Sequence, residues 1–179
     1  MEEYLNKVFL EHHLSITHAK NKTGENGIPL YKGGKKCYYP DFYRQVNGDK
    51  DGTESFVLDA KYKRLGYDVA IDEQDLKNAI SICREDLFQM ISYMHVLLAK
   101  HCALLYPIER KDSGTHTIVE SVSRQLLGFG GEIKGFGVPI IEMTTNTGEP
   151  IEYQQFYVSQ NQVAKELSLQ IQNWMKSDS

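Results

Sequence analysis

Two β-prone runs separated by a strong turn constrain the fold of this chain more than any other feature. The first run, residues 38–46, is aromatic and is broken early by Pro40, whereas the second, residues 55–62, has an apolar body. Between them, residues 47–52 read Asn-Gly-Asp-Lys-Asp-Gly, which is typical of a turn between two strands. We therefore predict that the two runs form neighbouring strands.

Helical and strand-like segments surround this pair. Apolar residues at helical spacing predict helices over residues 1–16, 84–98 and 160–175. Further strands are predicted over residues 102–106 (ended by Pro107), 115–123 and 136–143. The remaining segments are predicted as a mobile loop with a short hairpin (20–36), an ambiguous stretch that Asp72 could cap as a helix (66–82) and a turn region (144–152). The order predicts one α/β domain over residues 1–179, with a mixed sheet flanked by helices.

Composition excludes several classes of protein. No apolar run approaches the ~20 residues that span a bilayer, and the acidic N-terminus lacks the features of a secretory signal, so we expect a cytoplasmic protein. Cys37, Cys83 and Cys102 are an odd number without a C-x-x-C pair, which argues against a disulfide framework or a thiolate zinc site. The histidines show no metal-binding spacing, and the glycines of residues 128–137 precede no Gly-Lys-Ser/Thr, so a nucleotide P-loop is not expected.

Charge gives a mixed indication about nucleic acid. The formal net charge of −4 argues weakly against a nucleic-acid binder, because such domains are often basic. The net value nevertheless hides a local cluster of Lys61, Lys63 and Arg64, and a surface field depends on where charges lie.

The strongest chemical indication lies on the two central strands. Asp41 follows Pro40 at the first strand, and Asp59-Ala60-Lys61 ends the second. Side chains alternate along a strand, so Asp59 and Lys61 share a face, and pairing brings Asp41 near them. Two carboxylates can hold Mg²⁺, and a lysine beside them can orient water or stabilise developing negative charge. These residues are the equipment for metal-assisted phosphodiester hydrolysis.

The same residues resemble a known family. Pro40-Asp41 followed by Asp59-x-Lys61 resembles the PD-(D/E)XK nuclease superfamily, and Gln89-x-x-x-Tyr93 on the next helix resembles the motif of its RecB-like branch. With Arg84, Asp86 and Tyr106-Pro107 added, the pattern is similar to the nuclease domain of McrC-like and LlaJI-type restriction subunits. The motifs cover residues 1–107, whereas residues 108–179 match only loosely.

This resemblance implies a site and a reaction. It implies a Mg²⁺-dependent DNA endonuclease of a restriction system, in which Mn²⁺ can substitute. The implied metal ligands are Asp41, Asp59, the backbone carbonyl of Ala60, and Glu2, for which Glu3 is the alternative. Lys61 is the implied catalytic lysine. The implied supporting residues are Asp86, Gln89 and Tyr93, and the implied DNA contacts are Lys63, Arg64 and Arg84.

The resemblance also implies partners. They are double-stranded DNA, a McrB-like AAA+ GTPase and, because both strands must be cut, a second copy in a transient dimer. McrC-like proteins dock on the GTPase through an N-terminal region. The motif here begins at Glu2, so we expect an isolated nuclease domain, an excised fragment or a minimal relative.

Each residue also has a simpler structural reading. Asp41 can be a turn residue after Pro40, Asp59 and Lys61 an exposed ion pair, and Glu2 a favourable acid in the first turn of a helix. The competing functions are a degenerate nuclease fold that binds DNA or a partner without cutting, an RNase on a similar frame and, last, a purely structural subunit.

Overall fold

The computed structural model describes residues 1–46, 54–62, 83–108, 117–120, 123–128, 130–141 and 149–176. Within these ranges the helices are α1 (Glu2–Glu11), α2 (Arg84–Leu97) and α3 (Tyr153–Lys176). The strands are β1 (Thr17–His18), β2 (Ile28–Pro29), β3 (Cys37–Tyr38), β4 (Phe42–Arg44), β5 (Phe56–Ala60), β6 (His101–Ile108), β7 (Val119–Glu120), β8 (Arg124–Gln125) and β9 (Glu132–Pro139).

The main sheet is mixed and has seven strands among the described residues. Its order is β1-β4-β5-β6-β9-β7, with β8 also paired to β9. The pairs β5/β6 and β6/β9 are parallel, whereas β1/β4, β4/β5, β7/β9 and β8/β9 are antiparallel. The predicted mixed sheet is therefore confirmed. β2 and β3 pair as a short hairpin, of which only β2 lies within the loop predicted over residues 20–36. The run predicted as one strand over residues 38–46 is divided near Pro40 into β3, which pairs with β2, and β4, which pairs with β5.

Helices cover both faces of this sheet. Alternate residues of β5 and β6 separate into two cores, because successive side chains of a strand point to opposite faces. Phe56, Leu58 and Leu105 belong to the core that contains α1 and α3. Val57 and Leu104 belong to the core that contains α2. The result is three layers, with α2 on one face and α1 and α3 on the other.

The first helix is shorter than its apolar spacing predicts. It ends at Glu11, and His13 adopts a left-handed conformation with φ 55°. The chain then turns back so that Leu14 donates its N–H to the Phe9 carbonyl and buries its side chain in the core. Leu14 thus fits the helical period without belonging to the helix. At the end of α2, Leu98 is likewise a left-handed cap and is exposed rather than part of the apolar face.

The strand at residues 101–108 does not end at Pro107 as predicted. It continues to Ile108, with Pro107 opposite Val138. The Lys61 N–H donates to the Leu105 carbonyl, so Leu105 and Pro107 face the β5 side, and Pro107 lies beyond the last residue of β5. The missing N–H of Pro107 consequently costs no ladder hydrogen bond, which is where a strand tolerates proline.

Two later boundaries also differ from prediction. The strand expected over residues 136–143 is β9, which begins at Glu132 and ends at Pro139. Gly135 lies in its first half and weakens the strand signal there, since glycine has low strand propensity. The last helix begins at Tyr153 rather than residue 160. Its first two turns are mostly exposed and precede the buried residues of the helix, which start at Val163, so the prediction placed the start too late.

Some predictions lie outside the described residues. These are the turn at residues 47–52, the ambiguous stretch 66–82, and residues 144–148 of the turn region. Of the strand predicted over residues 115–123, residues 117–120 and 123 are described, and only β7 (Val119–Glu120) is a strand there. No helix in the described ranges is long and apolar enough to cross a bilayer.

Candidate active site

The start of β4 and the end of β5 meet at one edge of the sheet. Because these strands are antiparallel, with Phe42 opposite Leu58, Asp41 just before β4 lies near Asp59 and Ala60 at the end of β5. The contact is direct, since Asp41 Oδ2 accepts a hydrogen bond of 2.7 Å from the Ala60 N–H. The predicted convergence of the two strand ends is thus present.

Asp41 occupies a setting that disfavours its negative charge. Burial raises its pKa, and the charge of Asp59 and then that of Glu2 raise it further. The hydrogen bond from Ala60 and the charge of Lys61 oppose this shift but do not cancel it, and the pKa of Asp41 is raised to about 7. Such a carboxylate needs a nearby cation to be fully ionised at neutral pH.

Asp59 and Lys61 form a close ion pair. Lys61 Nζ lies 2.5 Å from Asp59 Oδ2, and both side chains are largely buried. Burial raises the pKa of Asp59, although its contacts with Lys61 act in the opposite direction. For Lys61, burial lowers the pKa, but the hydrogen bonds and charges of Asp59 and Asp86 outweigh it, so the net shift is upward.

Helix α2 supplies two more acceptors to the same ammonium. Lys61 Nζ lies 3.1 Å from Asp86 Oδ1 and donates a hydrogen bond of 3.0 Å to Gln89 Oε1. An ammonium has three N–H donors, so Asp59, Asp86 and Gln89 together satisfy all of them. Gln89 is itself fixed, because its Nε2 donates to the Tyr93 hydroxyl at 2.8 Å. The predicted supporting residues are therefore gathered around Lys61.

Glu2 reaches this edge from the start of α1. Its Oε1 lies 2.7 Å from Nε2 of His18, and its Oε2 accepts a longer hydrogen bond of 3.4 Å from the Tyr62 hydroxyl. Its charge contributes to the raised pKa of Asp41, so the two carboxylates are close enough to interact. The contacts belong to Glu2, whereas Glu3 is exposed.

The predicted DNA contacts are only partly visible. Lys63 and Arg64 lie outside the described residues. Arg84 is exposed at the start of α2, where its guanidinium lies 5.3 Å from the centre of the Phe88 ring. Its role in binding DNA stays a prediction.

Sequence reasoning missed His18 and Tyr62. His18 was grouped with histidines that lack metal-binding spacing, but its partner is a carboxylate sixteen residues away on another element. No local spacing rule could reveal such a contact. Tyr62 had a weak signal, because it directly follows the Asp59-x-Lys61 motif.

The donor atoms at this edge suit a hard divalent cation. Asp41 and Asp59 offer carboxylate oxygens, and Mg²⁺ is commonly held by one or two carboxylates completed by water and substrate phosphate. The N–H and C=O of one strand residue point the same way, so the Ala60 carbonyl faces the Asp41 side along with its N–H. Among the described residues, no group of three or more His, Cys, Asp or Glu side chains could hold a metal by itself. The oxygen atoms of Asp41, Asp59 and Ala60 therefore fit a cation whose remaining ligands are water and phosphate oxygens. Lys61 lies beside Asp59 at the same place.

Comparison with known proteins connects this edge of the sheet to a family. The family model for the McrBC 5-methylcytosine restriction system component matches residues 1–107 of the 179 residues. The chain belongs to this family. The region matched by the McrBC family model contains Glu2, Asp41, Asp59, Lys61 and the α2 residues around them. No curated protein matches the chain.

One solved structure also resembles this chain. It is the refined half-complex from the tetradecameric assembly of Thermococcus gammatolerans McrB AAA+ hexamers with bound McrC. The TM-score is 0.47 at 14% sequence identity, and the match covers 93% of this chain. This chain spans 31% of the length of the chain that it resembles.

Proposed function

We propose that this chain is a Mg²⁺-dependent DNA endonuclease domain of the PD-(D/E)XK type, and that it acts as the McrC-like nuclease of its restriction system. The proposal is based on the contacts at the end of β5. Asp41 accepts a hydrogen bond from the Ala60 N–H, directly after Asp59 in the chain, and Lys61 is paired with Asp59. Membership of the McrBC family supports DNA as the substrate, since the family model describes a 5-methylcytosine restriction component.

Asp41, Asp59 and the Ala60 carbonyl would hold the metal, with Glu2 as a further candidate ligand. The ion supplies a water of lowered pKa and offsets negative charge on the phosphate. On the protein side, burial is the main cause of the raised pKa of Asp41, and the negative charges of Asp59 and Glu2 add to it. A cation bound there would offset the repulsion between these carboxylates.

Lys61 would act as a donor rather than as a base. Its pKa is raised by Asp59 and Asp86 against the effect of burial, so the ammonium keeps its proton at neutral pH. A protonated lysine can orient an attacking water and stabilise the charge that develops on a phosphate oxygen. Asp86 and Gln89 fix the ammonium, and Tyr93 fixes the Gln89 amide.

We further propose a McrB-like AAA+ GTPase as the partner that brings this domain to DNA. The family description names a component of the McrBC 5-methylcytosine restriction system. A net charge of −4 supports only weak intrinsic affinity for DNA, so capture is left to the partner. Cutting both strands then requires two nuclease domains, supplied by a transient dimer.

Cleavage assays test this proposal directly. Purified protein, alone and with its GTPase partner, is incubated with double-stranded DNA, single-stranded DNA and RNA in Mg²⁺, Mn²⁺ or EDTA. We expect cleavage of double-stranded DNA that needs the metal and falls at least about a hundredfold in Asp59→Ala and Lys61→Ala. Glu11→Ala and Lys7→Ala are matched controls, because these residues form an exposed pair on α1. Folded Asp59→Ala and Lys61→Ala proteins that cleave like the wild type would contradict the proposal.

A binding module without cleavage is the second candidate. It is favoured by the absence, within the described residues, of three side chains that could enclose a metal. Calorimetric titration with Mn²⁺ separates the two functions, since an active site should bind the ion and a degenerate one should not. Preferential cutting of RNA in the same panel would instead indicate an RNase.

A further inference from the structure

His18 is buried at the edge of the sheet and contacts one carboxylate oxygen of Glu2, whereas Tyr62 contacts the other. Its Nε2 lies 2.7 Å from Glu2 Oε1, and its side chain is only 7% exposed. An ionised carboxylate can only accept hydrogen bonds, so Nε2 is the nitrogen that carries the proton in this contact. The Tyr62 contact at 3.4 Å is longer and comes from a residue that is 68% exposed. His18 is therefore the principal restraint on the Glu2 carboxylate.

The ring of His18 is fixed by the strand that carries Asp41. It stacks on the fully buried Phe42, with ring centroids 5.0 Å apart and an interplanar angle of 30°. His18 is also opposite Phe42 in the β1/β4 register. Because Phe42 directly follows Asp41, the position of the ring is tied to the backbone of a candidate metal ligand.

The backbone around His18 makes the same connection. The Ala19 N–H donates to the Asp41 carbonyl at 3.2 Å, and Asn26 Nδ2 donates to the His18 carbonyl at 2.9 Å. One short segment, His18–Ala19, thus contacts Asp41 through its main chain and Glu2 through a side chain.

We propose that His18 is a positioning residue that fixes the Glu2 carboxylate near the proposed metal site, where its charge already acts on Asp41. The inference rests on the proposed function and adds to it the reason why Glu2, on a separate helix, can serve that site. A long glutamate side chain has many rotamers, and a buried donor on a fixed ring selects one of them. Groups that orient metal ligands in this way typically change metal affinity or activity by about 10- to 100-fold when they are removed.

Three variants and a control test the role. His18→Phe keeps a ring against Phe42 but removes the donor, whereas His18→Gln keeps an N–H donor. Glu2→Ala removes the ligand, and His95→Phe changes an exposed histidine on α2. The first readout is the Mn²⁺ dissociation constant from calorimetry. The other two are the Mn²⁺ concentration that gives half-maximal cleavage and the cleavage rate at saturating Mn²⁺.

We expect His18→Phe to weaken Mn²⁺ binding by about tenfold, with partial recovery in His18→Gln and no change in His95→Phe. The Mn²⁺ concentration for half-maximal cleavage should rise by a similar factor, with a smaller effect at saturating Mn²⁺. The Glu2→Ala/His18→Phe double variant should bind no more weakly than Glu2→Ala alone, because both changes remove one interaction.

Two results overturn the inference while leaving the proposed function intact. One is wild-type Mn²⁺ affinity in folded His18→Phe. The other, which remains available if His18→Phe fails to fold, is wild-type Mn²⁺ affinity in Glu2→Ala, because His18 then has no ligand to position. Failure of the wild-type protein to bind Mn²⁺ or cleave DNA would instead contradict the proposed function itself.

Discussion

Lys61 Nζ lies 2.5 Å from Asp59 Oδ2, and the two side chains come from alternate residues at the end of β5. The pair lies on the face covered by α2, where Asp86 and Gln89 accept the remaining donors of the ammonium. Two buried carboxylates around one ammonium are costly unless the charges stay paired. A cation bound at Asp59 Oδ2 would compete with Lys61, and the lysine would then have a donor available for substrate.

Replacement of Lys61 tests whether the lysine acts in the reaction or only in the fold. We expect Lys61→Met to lower the cleavage rate at saturating Mn²⁺ at least about a hundredfold, because a fixed donor for developing negative charge is lost. Mn²⁺ affinity should be maintained or increased, since Asp59 loses its competing ammonium. Rates under single-turnover conditions and calorimetry measure the two effects separately. A proportional loss of metal binding and rate would instead assign Lys61 a structural role.

Tyr93 is expected to act through Gln89. Tyr93→Phe removes the hydroxyl that accepts from Gln89 Nε2 at 2.8 Å, so the amide that holds Lys61 gains rotational freedom. We expect a fall in cleavage rate of about tenfold. The cost in unfolding free energy should be about 1 kcal/mol, the scale of one hydrogen bond. Thermal unfolding and cleavage rates on the same preparations check this, and an unchanged rate in Tyr93→Phe excludes the relay through Gln89.

The raised pKa of Asp41 predicts an unusual pH dependence of stability without metal. Burial and the charge of Asp59 raise this pKa to about 7 in the folded protein, whereas the unfolded value is near 3.9. Between these values the folded protein holds a proton that the unfolded chain releases. The free energy of unfolding should consequently decrease as the pH rises from about 4 to about 7. Asp59, whose pKa is also raised, acts in the same direction.

Urea unfolding in EDTA across this pH range measures the effect. Asp41→Asn should have a shallower decrease than the wild type, because the residue no longer titrates. Glu11→Gln is the matched control, since Glu11 is exposed and pairs only with Lys7 in the described structure. An equal slope in Asp41→Asn and wild type would show that Asp41 does not have the raised pKa assigned to it.

Trp174 allows stability to be separated from activity. It is the one tryptophan in the sequence, and its Nε1 donates at 3.2 Å to the buried Glu132 at the beginning of β9. That end of the parallel strands is opposite to the candidate site. Trp174→Phe should cost about 2 kcal/mol of unfolding free energy, the scale of a hydrogen bond to a charged group. Mn²⁺ affinity and cleavage below the unfolding temperature should be unchanged, and a specific loss of Mn²⁺ binding would contradict this separation.

Local patterns in the sequence predicted the centre of the fold well. The hairpin pairing of β4 and β5 follows from alternation and turn composition, so Asp41, Asp59 and Lys61 could be grouped in advance. The helix α2 follows from apolar spacing, but Asp86, Gln89 and Tyr93 were assigned to the site only through the family resemblance. Boundaries set by tertiary contacts could not be predicted. Pro107 continues its strand because β5 has already ended there, and α3 begins ten residues before its first buried side chain, Val163.

The contact of His18 with Glu2 marks the limit of such reasoning. It joins a two-residue strand to the first turn of a helix, and neither element has a pattern that indicates the other. The raised pKa of Asp41 is also a property of the folded arrangement, because it depends on burial and on charges from two other segments of the chain, the start of α1 and the end of β5.

The location of a bound metal tests the central claim most directly. Crystals grown with Mn²⁺ and measured for anomalous scattering should show an ion held by Asp41, Asp59 and the Ala60 carbonyl, with the Lys61 ammonium no longer bonded to the ligating oxygen of Asp59. Crystals of Asp41→Asn grown in parallel should show a weaker signal or none. If crystals at saturating Mn²⁺ show no anomalous signal between Asp41 and Asp59, that result would contradict the proposed metal-dependent nuclease.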